Sequence, residues 1–135
     1  MDFKKLDLAV QAIALRRNEL KKLDYNNPKY DDLEEELHDL EDSLLDEFGN
    51  YLEGVFQEIH DKYCPDTDVL LPIAYMAKTY TITQTNEFSV GQSEGVYVEV
   101  DSLPGKETKL VMIPNPLRVV LNIGQEQQRL VWGSK

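Results

Sequence analysis

Residues 28–63, PKYDDLEEELHDLEDSLLDEFGNYLEGVFQEIHDKY, decide how the rest of the chain is arranged. Apolar side chains at Leu33, Leu37, Leu40, Leu44, Phe48, Leu52, Val55 and Ile59 recur in steps of three or four, which on a helix keeps them on one stripe. Nearly every position off that stripe between Asp31 and Glu47 is Asp or Glu, and no Lys or Arg occurs from Tyr30 to Asp61. The stretch therefore reads as one long helix with a buried seam and an acidic outer side. Asn27 is placed to cap its free N–H groups, and Pro28 suits the first helical position, where no N–H is required. Gly49 and Asn50 are the pair at which the helix would end if a shorter third one followed. The seam runs on through them and favours a continuous helix.

Upstream, Asp2 to Leu23 reads as a first helix capped by Asp2. Phe3, Leu6, Val10, Ile13 and Leu20 form its seam, and Arg17 stands where the apolar step would land once more. The short polar connection Asp24–Asn27 folds two such helices into an antiparallel hairpin. A turn centred near Asn26 makes facing residue numbers sum to about 53, so Leu20 meets Leu33, Ile13 meets Leu40, Val10 meets Leu44 and Leu6 meets Phe48. The same register sets Arg16 and Arg17 opposite Glu35 and Glu36, and Lys21 and Lys22 opposite Asp31 and Asp32. Like charges at helical spacing cost ~0.2–0.5 kcal/mol per pair, so the first helix serves as counter-ion to the second. At about 52 Å against about 34 Å, the second helix outruns the first near Asn50. Its overhang carries Tyr51, Leu52, Val55, Phe56, Ile59 and Tyr63, too much apolar surface to leave in water. We expect the sheet to cover part of it and a second copy the rest, with Tyr51, Val55, Phe56 and Ile59 at the subunit interface.

After Cys64 the pattern changes to β-branched and aromatic residues with a period of two and turn punctuation. Val69–Ile73 and Tyr75–Gln84 read as strands, the second with Met76, Tyr80 and Ile82 on one face. Gly95–Asp101 is a further strand with Val96, Val98 and Val100 inward. Pro104 and Gly105 turn it into Thr108–Ile113, the corner Pro114–Asn115–Pro116 leads to Leu117–Ile123, and Gly124–Gln127 turns into Gln128–Trp132. The fold class is α+β: a helical hairpin over residues 1–63, then a small antiparallel sheet of four to five strands over residues 64–135.

The 135 residues carry a net charge of −11, unevenly placed, since the first 63 residues hold 17 acids against 8 bases. Bare nucleic acid and anionic membranes attract Lys and Arg clusters that this chain lacks, so a basic protein surface is the expected partner. No apolar run long enough to span a membrane and no secretory leader pattern is present. The lone Cys64 precludes an internal disulfide and fits a reducing compartment, the cytoplasm.

Candidates for chemistry are few. His60 and Cys64 share a helical face at the spacing of half a zinc site, with Asp61, Asp66 and Asp68 nearby, but a buried small hydrophobe and a surface histidine explain them better. Glu35 and His38 make one Glu-x-x-His step, whereas di-iron bundles need two. Carboxylate neighbours such as Glu41 with Asp42 lie on a convex face, where nothing separates their pKa values for acid and base work. Neither a phosphate-cradling Gly loop nor a nucleophile motif occurs, and no cofactor is expected.

An acidic-tipped antiparallel hairpin followed by a small β domain resembles, in layout, the transcript-cleavage (Gre) factors of RNA polymerase. That resemblance implies a tip, here Asp24, Asp31 and Asp32, that chelates a catalytic magnesium inside the polymerase. The shorter hairpin and the C-terminal strands depart from the family. The residues themselves point to a non-enzymatic interaction or assembly module, homo-oligomeric, binding its partner through Glu34, Glu41, Asp42 and Asp46. The alternative is an acidic regulator of a nucleic-acid machine, as a Gre-like arm or a mimic of DNA charge.

Overall fold

The computed structural model describes residues 1–133. Helix α1, Phe3–Lys21, begins as its sequence dictates: the Asp2 carboxylate accepts the Lys5 N–H at 3.0 Å. Helix α2, Tyr30–Tyr63, is continuous through Gly49. Its start differs from expectation. Asn27 Oδ1 accepts the Lys29 N–H at 2.9 Å and Asn27 O accepts that of Tyr30, which closes a turn ahead of the helix. Lys29, not Asn27, then occupies the cap position, and its side chain makes no capping bond.

The hairpin register is close to that read from the seams. Leu6, Val10 and Ile13 of α1 and Leu37, Leu44 and Phe48 of α2 are buried together. Arg16 Nε meets Glu36 at 2.6 Å and Lys5 meets Glu47 at 2.6 Å. Arg17 passes over Glu35 and Glu36 and reaches Glu41 instead, while Lys21 and Lys22 make no ion pair with Asp31 or Asp32 among the described residues.

The C-terminal half holds the expected small antiparallel sheet, of four strands, and beside it a separate two-stranded one. β1 (Thr81–Ile82) pairs with β2 (Phe88–Ser89). β3 (Val96–Tyr97), β4 (Thr108–Ile113), β5 (Arg118–Ile123) and β6 (Gln127–Gly133) form an open sheet in sequence order. The turns at Pro104–Gly105, Pro114–Pro116 and Gly124 fall where the sequence put them, the Asn115–Pro116 bond being cis. Gly95, at φ 117°, admits no side chain, because a Cβ there would lie 2.6 Å from the Leu110 carbonyl oxygen.

Of the two strands expected between Val69 and Gln84, only the end of the second forms, as β1 at Thr81–Ile82. Val69–Ile73 runs into a 3-10 turn at Pro72–Tyr75, with Pro72 in its first turn. Met76–Tyr80 bends at Lys78 and lacks a full ladder, with only Met76 bridging to Met112 on β4. Side chains of α1 hold this segment in place. Asn18 accepts the Tyr80 N–H at 2.8 Å and donates to Tyr80 O at 2.9 Å, as a neighbouring strand would. Arg17 donates to Met76 O and Ala77 O at 3.4 and 3.1 Å.

The α2 overhang is covered by the chain itself. Leu52, Val55, Phe56 and Ile59 are buried, and Phe56 stacks on Tyr75 of the 3-10 turn, with centroids 3.9 Å apart and planes at 11°. Tyr51 is half-buried, edge-on to Phe3. The apolar surface that motivated an interface at Val55, Phe56 and Ile59 is therefore spent inside one chain. A strap, residues 88–94, is held to β4 and β5 by side chains donating to its carbonyls: Arg118 to Phe88 O, Asn122 to Gly91 O and Glu94 O, and Lys109 to Ser93 O.

Candidate interaction surface

On α2, the ten acids between Asp31 and Glu47 sort by helical angle into groups with different fates. Glu36, Glu41 and Glu47 turn toward α1 and pair with Arg16, Arg17 and Lys5. Asp31, Asp32, Glu35, Asp39, Asp42 and Asp46 are exposed and make no ion pair among the described residues. At 100° per residue these six fall within an arc of about 100°, opposite the Leu seam, and extend along about 22 Å of helix. Asn50 and Glu53 prolong the row toward the sheet.

The four residues singled out from sequence do not share a face. Asp42 and Asp46 belong to the outer row. Glu41 is half-buried against Arg17, with side chains 14% and 19% exposed, and its charge is already paired within the chain. Glu34 lies on the Glu41 flank and is half-buried. Asp31 and Asp32, expected only as tip acids of the Gre layout, and Glu35 and Asp39, not expected as site residues, complete the row. The steps of four, four, three and four residues from Asp31 through Asp42 to Asp46 are the signal that would have found the row.

The chemistry candidates are absorbed by the fold. His60 is buried, its Nδ1 2.8 Å from Thr67 O and its Nε2 2.8 Å from the Tyr75 hydroxyl, which also accepts the Leu70 N–H at 3.0 Å. A carbonyl only accepts, so Nδ1 carries the proton and Tyr75 donates to Nε2; both ring nitrogens are engaged. Cys64 is buried, and desolvation, helped by the nearby Asp101 charge, pushes its thiol up to about 11. The tip acids of the Gre layout, Asp24, Asp31 and Asp32, are exposed. Among the described residues no group of three or more His, Cys, Asp and Glu side chains gathers closely enough to hold a metal.

One open cleft of ≈ 570 Å³ at the β3–β4 loop is lined by Tyr97, Asp101, Leu103 and Lys106, and another of ≈ 570 Å³ near the hairpin tip by Leu23, Lys29, Asp32, Leu33 and Glu36. Neither contains a histidine or Cys64. No helix among the described residues is long and apolar enough to cross a membrane.

In architecture the chain is an α+β protein, a two-helix hairpin followed by antiparallel sheets of two and four strands. Compared with protein-family models, curated proteins and solved structures, it matches none.

Proposed function

We propose that this protein is a non-enzymatic interaction module whose outer α2 row engages a basic surface on a protein partner. The observation that carries the reading is the division of charge on one helix. Acids facing α1 are neutralised, whereas Asp31, Asp32, Glu35, Asp39, Asp42 and Asp46 stand in an exposed line without a counter-ion among the described residues. Like charges at i,i+4 oppose the helix that carries them, and a fold with no use for the row has simple means of interrupting it. A basic partner supplies the missing counter-charge and gains on-rate from the field.

The same row supports a second reading. Carboxylates about 4.5–6 Å apart along a rigid rod present a linear anionic edge, the feature a charge mimic of nucleic acid needs to occupy a phosphate-binding surface.

The test replaces Asp39, Asp42 and Asp46 with Asn, which removes charge while keeping shape, alongside Glu34→Gln as an off-row control. Partners are captured with wild-type protein at two salt concentrations, with and without nuclease, and their affinities for each variant are measured. Loss with the triple variant but not the control, and weakening with salt, supports the row. A partner that is itself a nucleic-acid-binding enzyme, competed by DNA, selects the second reading. Unchanged affinity of the triple variant, with an intact circular dichroism spectrum, overturns both.

A further inference from the structure

The four-stranded sheet has two edges, and they are finished differently. On one side the edge strand is β3, only two residues long, and short length itself blunts an edge. Val96 and Tyr97 pair with Leu110 and Lys109, Val98 bonds to Thr108 through both backbone and hydroxyl, and Met76 bridges to Met112. On the far side, β6 pairs with β5 alone, and among the described residues no strand lies against its outer edge. Edge strands are ordinarily blunted by Pro, charged side chains (Lys above all), a β-bulge or short length, and of these β6 has Arg129 and one bulge. β6 has seven residues, none of them Pro, Lys, Asp or Glu, and its Leu130 is 62% exposed. Its one irregularity is the bulge opposite Val119 and Val120, where Val131 is the extra residue.

Charge points to the occupant. Two chains of net charge −11 repel over most of their surfaces, but residues 108–133 contain Glu126 as the only acid beside Lys109, Arg118 and Arg129. β6 is thus a place where two copies meet without opposed carboxylates. We propose that the protein dimerises by antiparallel pairing of β6 with β6 of a second copy, about a two-fold axis near Leu130, extending the sheet across the axis. Centred there, Leu130 faces Leu130 and the exposed leucines cover each other, while Arg129 faces the bulged Val131 and the two Arg129 side chains stand diagonally across the axis, a repulsion that salt also screens. The contact is isologous and closes at two copies. It rests on β6 and not on the α2 row, so it stands or falls separately from the proposed function.

The salt dependence has a definite sign. A dimer joined by backbone hydrogen bonds and leucines, against repulsion between two anionic chains, tightens as salt rises. One joined by acids of one copy on bases of the other weakens. Light scattering from about 10 to 200 μM protein, at about 50 and 500 mM salt, is expected to show a monomer–dimer equilibrium shifted to dimer by salt. Leu130→Lys, a surface change, is expected to weaken the dimer at least about tenfold while the circular dichroism spectrum and melting point hold. Independently of any variant's folding, hydrogen exchange at wild-type β6 amides is expected to slow as protein concentration rises. A monomer throughout, a dimer that weakens with salt, a folded Leu130→Lys that dimerises unchanged, or β6 exchange indifferent to concentration overturns the proposal.

Discussion

Arg17 of α1 and Glu41 of α2 meet at 2.8 Å, and the same guanidinium donates to the carbonyls of Met76 and Ala77. One half-buried cation thus ties both arms of the hairpin to the start of the β half. It does so from the position on α1 where the apolar seam would have taken another hydrophobe.

Arg17→Ala is expected to cost about 2–3 kcal/mol in urea unfolding, because it strands a half-buried carboxylate and two carbonyls together. Arg17→Lys recovers only part of this, since a point charge cannot serve three acceptors in fixed directions. Glu41→Gln costs less than Arg17→Ala. A loss under about 0.5 kcal/mol for Arg17→Ala would mean that solvent replaces the network and the anchor is dispensable.

Tyr75→Phe keeps the ring that stacks on Phe56 but removes the hydroxyl shared by His60 and Leu70. It leaves a buried imidazole acceptor and a backbone N–H without their partner, for an expected cost of about 1–3 kcal/mol. Faster hydrogen exchange at the Leu70 amide is the local signature. Equal exchange in both proteins would refute the network.

Cys64 sets an alkaline limit. Its thiol is held up to about 11, against an ordinary 9.0, so the unfolded chain binds fewer protons than the folded one between those values. Stability from this group is fully present below about pH 9 and is lost as pH rises toward about 11, by on the order of 2–3 kcal/mol. Tyr75 and Tyr80, also raised by burial, steepen the fall further. Cys64→Ala is expected to flatten melting temperature against pH in that window; an unaltered slope would remove Cys64 from the account.

Phe56→Asp separates two readings of the overhang. With Phe56 fully buried against Tyr75 in a single chain, an unpaired carboxylate there is expected to unfold the monomer, at a cost of several kcal/mol. A folded, monomeric Phe56→Asp protein would instead place this side chain at an interface between copies.

What the sequence determined by itself is whatever local chemistry controls. The two helices follow from apolar steps of three and four. The α1 start follows from Asp2, which sits within reach of the Lys5 N–H. The hairpin register follows from matching seams, and the β4–β5–β6 meander from Pro and Gly at its corners with β-branched runs between them. Only the tertiary structure decided the stretch from Val69 to Tyr80. Its pattern reads as strand, yet its backbone groups are met by side chains, Arg17 and Asn18 some 60 residues away, Glu94 on the strap and the hydroxyls of Tyr75 and Tyr80, and a ladder supplied by side chains leaves no trace in local periodicity. The same holds for the candidate site. Composition shows that α2 is acidic, but which carboxylates are free depends on where α1 places Lys5, Arg16 and Arg17, and Glu41 was lost to the site for that reason. It also holds for β6, whose sequence is that of an ordinary strand. Only the order of strands in the sheet makes it an edge, because a strand's hydrogen-bonding groups are spent or spare according to its neighbours.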